Sequence, residues 1–152
     1  MAKVMDYVYK LISFFMIVML MIMVSSMTFN VIARYFGKAL MWIDEVSRLA
    51  FVWMSFLAIV IGFRYNLHPA FEIFIKKLGE NKAEKLLITI INVFILIFLV
   101  YALKGGIDYT SKAYIQKTAI LGISVGWKYS AIPFSAFIMI LETVRKLVLT
   151  WK

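Results

Sequence analysis

Side chains able to do chemistry gather in three places along these 152 residues. The densest is Met41-Trp42-Ile43-Asp44-Glu45-Val46-Ser47-Arg48. On a helix, Asp44 and Glu45 lie four and three residues before Arg48, so one guanidinium can serve both carboxylates. Two readings stay open for this segment: a helix start that neutralises its own charge, or an acid that salt-bridges a partner protein. The second place is Glu142, with Arg145 and Lys146 at i+3 and i+4. A proton- or ion-coupling role calls for an ionisable group deep in an apolar segment, where its burial is costly and needs a purpose. Glu142 is the deepest such candidate, and its basic neighbours favour simple pairing near the headgroups. The third is His68, directly before Pro69 and the single imidazole of the chain. One imidazole falls short of a haem with two axial ligands or of a zinc site, so His68 reads as a polar anchor or N-cap. The absence of cysteine excludes disulfides, thiolate metal sites and cysteine nucleophiles. With no Gly-rich phosphate loop, nucleophile elbow or paired acidic motif, neither an enzyme nor a cofactor is expected.

The elements that carry these residues are read from composition. Apolar residues make up 64% of the chain and the mean hydropathy is +0.91. So short a chain cannot hide that excess from water, and lipid must be the solvent for much of its surface. The formal charge of +9 sits in short groups between apolar runs. That placement suits anionic lipid headgroups rather than nucleic acid. Residues 11–33 contain no charge and reach about 34 Å as a helix, enough for a ~30 Å hydrocarbon core. The run is too long for a cleaved signal peptide and lacks a clear cleavage site. Further runs are 49–63, extended backwards by 42–48, then 86–103, and a last one from about Trp127 to Leu141. The expected fold is an all-α membrane protein: one domain, 1–152, of four transmembrane helices. A short interfacial amphipathic helix is expected between spans two and three. There Pro69 suits a first turn and Gly79 a stop, with Phe71, Phe74, Ile75 and Leu78 on one face. In the connector 105–126, Lys104, Asp108 and Lys112 support a continuing helix, whereas Gly105-Gly106 argues against a rigid one. From Thr118 an irregular, close-packed re-entry into the membrane is expected.

Packing and orientation follow. Ser26, Asn30, Ala33 and Gly37 recur at helical spacing as a small, polar face that lets helices approach, and Thr89 with Asn92 gives span three a similar edge. These faces either close the four helices on themselves or meet another subunit. With the amino terminus inside, ten Lys and Arg fall on the cytoplasmic side and seven on the other, which favours both termini in the cytoplasm.

Three segments carry a resemblance. Trp42-Ile43-Asp44-Glu45 is followed by Arg48, Phe51-Val52-Trp53, Gly62, Arg64 and His68; Asn30-Val31-Ile32-Ala33-Arg34-Tyr35-Phe36 closes span one; and residues 118–127 lead into Tyr129 and Pro133. In order, spacing and layout the chain resembles the small membrane subunit of tripartite ATP-independent periplasmic (TRAP) transporters. Asp44 stands where the family usually has a second acid before Glu45. The resemblance implies a non-catalytic subunit in the bacterial inner membrane. It would pair with a large subunit that carries substrate and sodium, and offer periplasmic surface to a soluble substrate-binding protein. The cargo would be an organic anion. It makes Ser26, Asn30, Ala33, Trp42, Asp44, Glu45, Arg48, Trp53, Arg64, His68, Asn92, Trp127 and Pro133 candidates for the partner interface or for structure. Two other classes of protein fit the residues less well. A self-contained homodimeric exporter of this size would need an acid within span one, and none lies between residues 11 and 33. A membrane anchor for a redox enzyme would need more than one histidine.

Overall fold

In hydrocarbon no water is at hand for backbone N–H and C=O groups, so an apolar run must satisfy them within its own helix. The computed structural model, which describes residues 2–38, 40–65 and 82–150, is accordingly helical almost throughout. Its elements are α1 (Ala2–Tyr35), α2 (Met41–Arg64), α3 (Lys82–Ala113), the single turn α4 (Gly126–Tyr129) and α5 (Ala131–Thr150). The expected amphipathic helix at 69–79, and His68 with it, lie outside the described residues.

Among the described residues three stretches are long and apolar enough to cross a membrane: Met5–Tyr35, Met41–Arg64 and Lys85–Ala113. The fourth long helix, α5, is less clearly a span. Its residues 131–141 carry no charge, but Glu142, Arg145 and Lys146 follow within its 20 residues. At ~1.5 Å per residue the 34 residues of α1 reach about 50 Å, well beyond the hydrocarbon core. Gly37 stops that helix. Its φ of +74° is open to glycine at no steric cost, and it closes the end with Lys38 N–H donating to Ala33 O and Gly37 N–H to Arg34 O, both at 2.9 Å. Gly37 is thus a helix stop and not part of the packing face expected for it.

Gly105-Gly106 does not interrupt α3, which continues to Ala113 as the spacing of Lys104, Asp108 and Lys112 expects. The pair serves packing. A Cβ on Gly106 would stand 2.9 Å from Ile132 Cγ2 and 3.3 Å from the Pro133 ring, so glycine is what lets α3 and α5 touch there. Pro133 costs α5 little, because the first turn of a helix has N–H groups without intrahelical partners.

Among the described residues the helices form a row in the order α1, α2, α5, α3. α2 packs on α1 and α5, α5 packs on α2 and α3, and no Cα of α1 comes within 8 Å of α3 or α5. Burial follows this order. On α1 the buried and half-buried positions include Tyr9, Ile12, Met16, Met19, Met23, Ser26, Asn30 and Ala33, alternately three and four residues apart. Such a 3.5-residue repeat keeps one seam against one neighbour, as in a coiled coil. Its opposite face is open. α3 likewise buries one stripe that includes Asn92, Leu99, Gly106, Thr110 and Ala113, while Phe94, Phe98 and Tyr101 face outward. The core sits where α1, α2 and α5 meet, built from Tyr9, Ile12, Leu57, Val60 and Ile138.

Candidate functional site

Polar groups collect at the two ends of the row. At the end holding the α1–α2 turn, Asp44 accepts a hydrogen bond from the amide of Asn30 at 2.8 Å and one from Arg34 at 3.4 Å. The first turn of α2 is thereby tied to the last turns of α1. Glu45 reaches the other way, and its two oxygens accept the backbone N–H groups of Ile120 and Leu121, each at 3.0 Å. Arg48 pairs with neither acid, and the single guanidinium expected to serve both carboxylates is not formed. The reason is geometric. Each carboxylate finds a partner on another element, and Arg48 is left exposed at the mouth of a groove.

That groove, about 310 Å³, lies between α2 and the loop 117–125. The loop is irregular as expected, but it is not close-packed: residues 119–123 are exposed. Lys117 and Ser124 pair as an isolated antiparallel bridge, Thr118 N–H donates to Ile123 O at 2.8 Å, and Gly122 takes φ +65° at the reversal. The Ser124 hydroxyl donates to Tyr114 O, which ties the loop's return to the end of α3. Gly126 then packs so closely that a Cβ would lie 2.6 Å from the Tyr114 ring. The Trp53 indole N–H donates to Trp127 O at 3.0 Å, and its ring meets Phe134 at 5.8 Å. Thr110 binds Tyr129 O at 3.2 Å. Glu45, Trp53 and Thr110 thus bring α2 and α3 to one loop. Trp42 and Trp127 stay half-exposed at this end, where an indole suits a membrane–water interface.

At the opposite end the sequence reading missed a second junction. Glu142 has 0% of its surface exposed. It accepts hydrogen bonds from the Tyr9 hydroxyl at 3.1 Å and from the Arg145 guanidinium. Arg145 is the helical neighbour named for it, but Tyr9 comes from α1, so Glu142 is a bridge across the row. Arg64 pairs with Asp6 and lies 4.1 Å from the centre of the Tyr9 ring. Lys146 donates to Phe63 O at the end of α2, at 2.7 Å. Arg64 on α2 and Glu142 on α5 lie far along the chain from Asp6 and Tyr9 on α1, so no local spacing signalled the junction.

Of the small-residue candidates, Asn30 is buried and Ser26 and Ala33 are half-buried, all on the α1 seam toward α2. Asn92 is buried on α3, where its amide donates to Ile88 O of its own helix. Ser47 on α2 and Ser135 on α5 are also buried, their hydroxyls without a hydrogen-bond partner. Their small size admits close helix contact.

Fold and junctions together define a small helical membrane protein whose polar side chains join helix to helix and helix to loop. A family model described as Tripartite ATP-independent periplasmic transporters, DctQ component, matches residues 23–152. The chain belongs to that family and is a small permease component of a TRAP transporter; the family is one of transporter subunits, not an enzyme family. A Haemophilus influenzae Rd protein, provisionally described as a TRAP transporter small permease protein, is 30% identical over 135 residues, 88% of this chain and 81% of that one. Another protein of the same strain, described in the same words, is 36% identical over 50 residues, 32% of this chain and 31% of its own length. The Sialic acid TRAP transporter permease protein SiaT of H. influenzae 86-028NP is 24% identical over 119 residues, 78% of this chain and 19% of that longer protein.

Proposed function

We propose that this subunit is a non-catalytic scaffold: it stands beside a large permease, which moves an organic anion with sodium, and handles no cargo itself. One observation carries the reading. The hydrocarbon-depth parts of α1, α2 and α3 hold no charged residue, and among the described residues the helices stand in a row in which α1 has no Cα within 8 Å of α3 or α5. A hydrophilic solute crossing a bilayer needs a polar route through it, because unpaired polar groups are costly in hydrocarbon. Such a row instead presents apolar flanks to a neighbour.

On this reading α5 is the fourth span. Wedged between α2 and α3, it crosses with residues 131–141, and its charged half ends among the partners that Tyr9, Phe63 and Arg145 supply. Both termini then lie in the cytoplasm. Glu45, the groove and the loop 117–125 face the periplasm, the side from which a substrate-binding protein docks. The amino-terminal junction of Asp6, Tyr9, Arg64 and Glu142 faces the cytoplasm.

The test is reconstitution. Proteoliposomes holding this chain alone are expected to accumulate no labelled carboxylate or acidic sugar under a sodium gradient, whereas the chain co-purified with a large permease and supplied with a binding protein does. Uptake by the chain alone would sink the reading.

A further inference from the structure

The groove beside Glu45 has a charge pattern that the scaffold role leaves unused. Arg48 and Lys128 both line it, and neither forms an ion pair among the described residues; Lys128 instead stands 4.5 Å above the Tyr129 ring. The one acid in the lining, Glu45, already gives both oxygens to backbone N–H groups. The rest of the lining is mostly apolar, with Val46 and Leu49 on the helix side and Ala119, Leu121, Ile123 and Val125 on the loop side; the hydroxyls of Thr118 and Ser124 are engaged by Ile123 N–H and Tyr114 O. Two cations against one acid in a mostly apolar lining match a phosphate whose other end is hydrocarbon.

The surroundings place the groove at the depth of such a group. Ile115 before the loop and Ile120 and Ile123 within it are 86%, 50% and 41% exposed, and Trp42 and Trp127, close in sequence to the lining residues Glu45 and Lys128, are half-exposed. Isoleucines so exposed do not suit open water, and indoles favour the headgroup level. A volume of about 310 Å³ equals roughly ten waters at ~30 Å³ each, room for a phosphate with its glycerol but not for a whole lipid. We propose that this groove seats the phosphate of a membrane phospholipid, with Arg48 and Lys128 on the anion and the apolar walls along the start of an acyl chain. The lipid would sit as a wedge between α2 and the loop. The proposal rests on the chain being embedded in a membrane, and stands whether or not the scaffold reading does.

Native mass spectrometry of the full chain in detergent micelles, titrated with dioleoylphosphatidylglycerol, tests it. Each cation near a headgroup contributes about a factor of five, so R48A/K128A should hold the lipid roughly twenty-five-fold more weakly. The K10A/K85A variant, which loses the same charge at exposed sites toward the other end, should match the wild type. R48K/K128R should retain the lipid, which separates loss of charge from loss of fold. Equal retention by R48A/K128A and wild type would overturn the proposal. So would complete displacement of the lipid by millimolar inorganic phosphate, which would make this a free-anion site. Undiminished lipid retention combined with lost co-purification of a large permease would also overturn it, and would assign the cations to a protein partner.

Discussion

Glu45 reaches a loop 75 and 76 residues further along the chain, and its charge is spent on two N–H groups that have no helix or strand to pair with. Removing that acceptor should release the loop while leaving the helices in place. In Glu45→Ala, amide hydrogen exchange across 118–123 is expected to accelerate by about tenfold, with exchange in α1 and α3 unchanged. Glu45→Gln keeps one acceptor oxygen and should fall between. Unchanged exchange in Glu45→Ala would show that the loop holds itself. At the far junction, Glu142→Ala leaves Arg145 and the Tyr9 hydroxyl without their buried partner. A loss of about 2 kcal/mol is expected from the melting of the purified protein, because charged hydrogen bonds to a half-buried guanidinium and one to a hydroxyl are lost. Tyr9→Phe removes one hydrogen bond and should cost about 1 kcal/mol. The sequence marked Asp44, Glu45, Arg48 and Glu142 as the residues to watch and paired Glu142 with Arg145 as found, yet misjudged the partners of Asp44 and Glu45. Spacing arithmetic sees the neighbours on a residue's own helix. Here Asp44 is held from α1, Glu45 by a loop beyond α3, and Glu142 by Tyr9 as well as by Arg145.

At the level of elements, the apolar runs were legible because lipid forces a charge-free stretch of some 20 residues for each crossing. α1, α2 and α3 follow those runs. The α1 seam was only partly legible: Ser26, Asn30 and Ala33 stand out, but Met16, Met19 and Met23 continue it invisibly, since a helix that is apolar all round shows no contrast between its faces. Gly105-Gly106 misleads for a related reason. Helix propensity counts glycine as a weak point, whereas at Gly106 the missing Cβ is the contact itself. The two glycines therefore make a paired test. Gly106→Val should force α3 from α5 at Ile132 and Pro133, destabilising by about 2 kcal/mol as overpacked contacts do, and lower the melting temperature. Gly105 has nothing within 4 Å of its Cβ position, and Gly105→Ala should leave that temperature unchanged or raise it slightly. Equal effects from both would mean that the helix contact at Gly106 is not close.

For the whole molecule, the order α1, α2, α5, α3 could not be read from the sequence, because apolar helices of similar composition fit side by side in many orders. The order has a consequence for assembly. One half of the chain is the α1–α2 pair; the other is α3 with α4 and α5, and each half has its own internal contact. What joins them is the α2–α5 contact, reinforced by Tyr9 to Glu142, Lys146 to Phe63 O, Trp53 to Trp127 O and Glu45 to the loop. Membrane helices that are stable singly can associate after insertion, so these contacts should suffice without the intervening 66–81. Fragments 1–65 and 82–152, expressed together with an affinity tag on the first, are expected to co-purify. Trp53→Phe combined with Glu45→Ala removes hydrogen bonds to the second fragment while sparing the α1–α2 seam. The pair should lower recovery of the untagged half by about fivefold, near 1 kcal/mol for the hydrogen bonds that no longer form. If the wild-type halves fail to associate, then residues 66–81 or a large permease hold the row together, and α2 and α5 are neighbours only by virtue of that outside support.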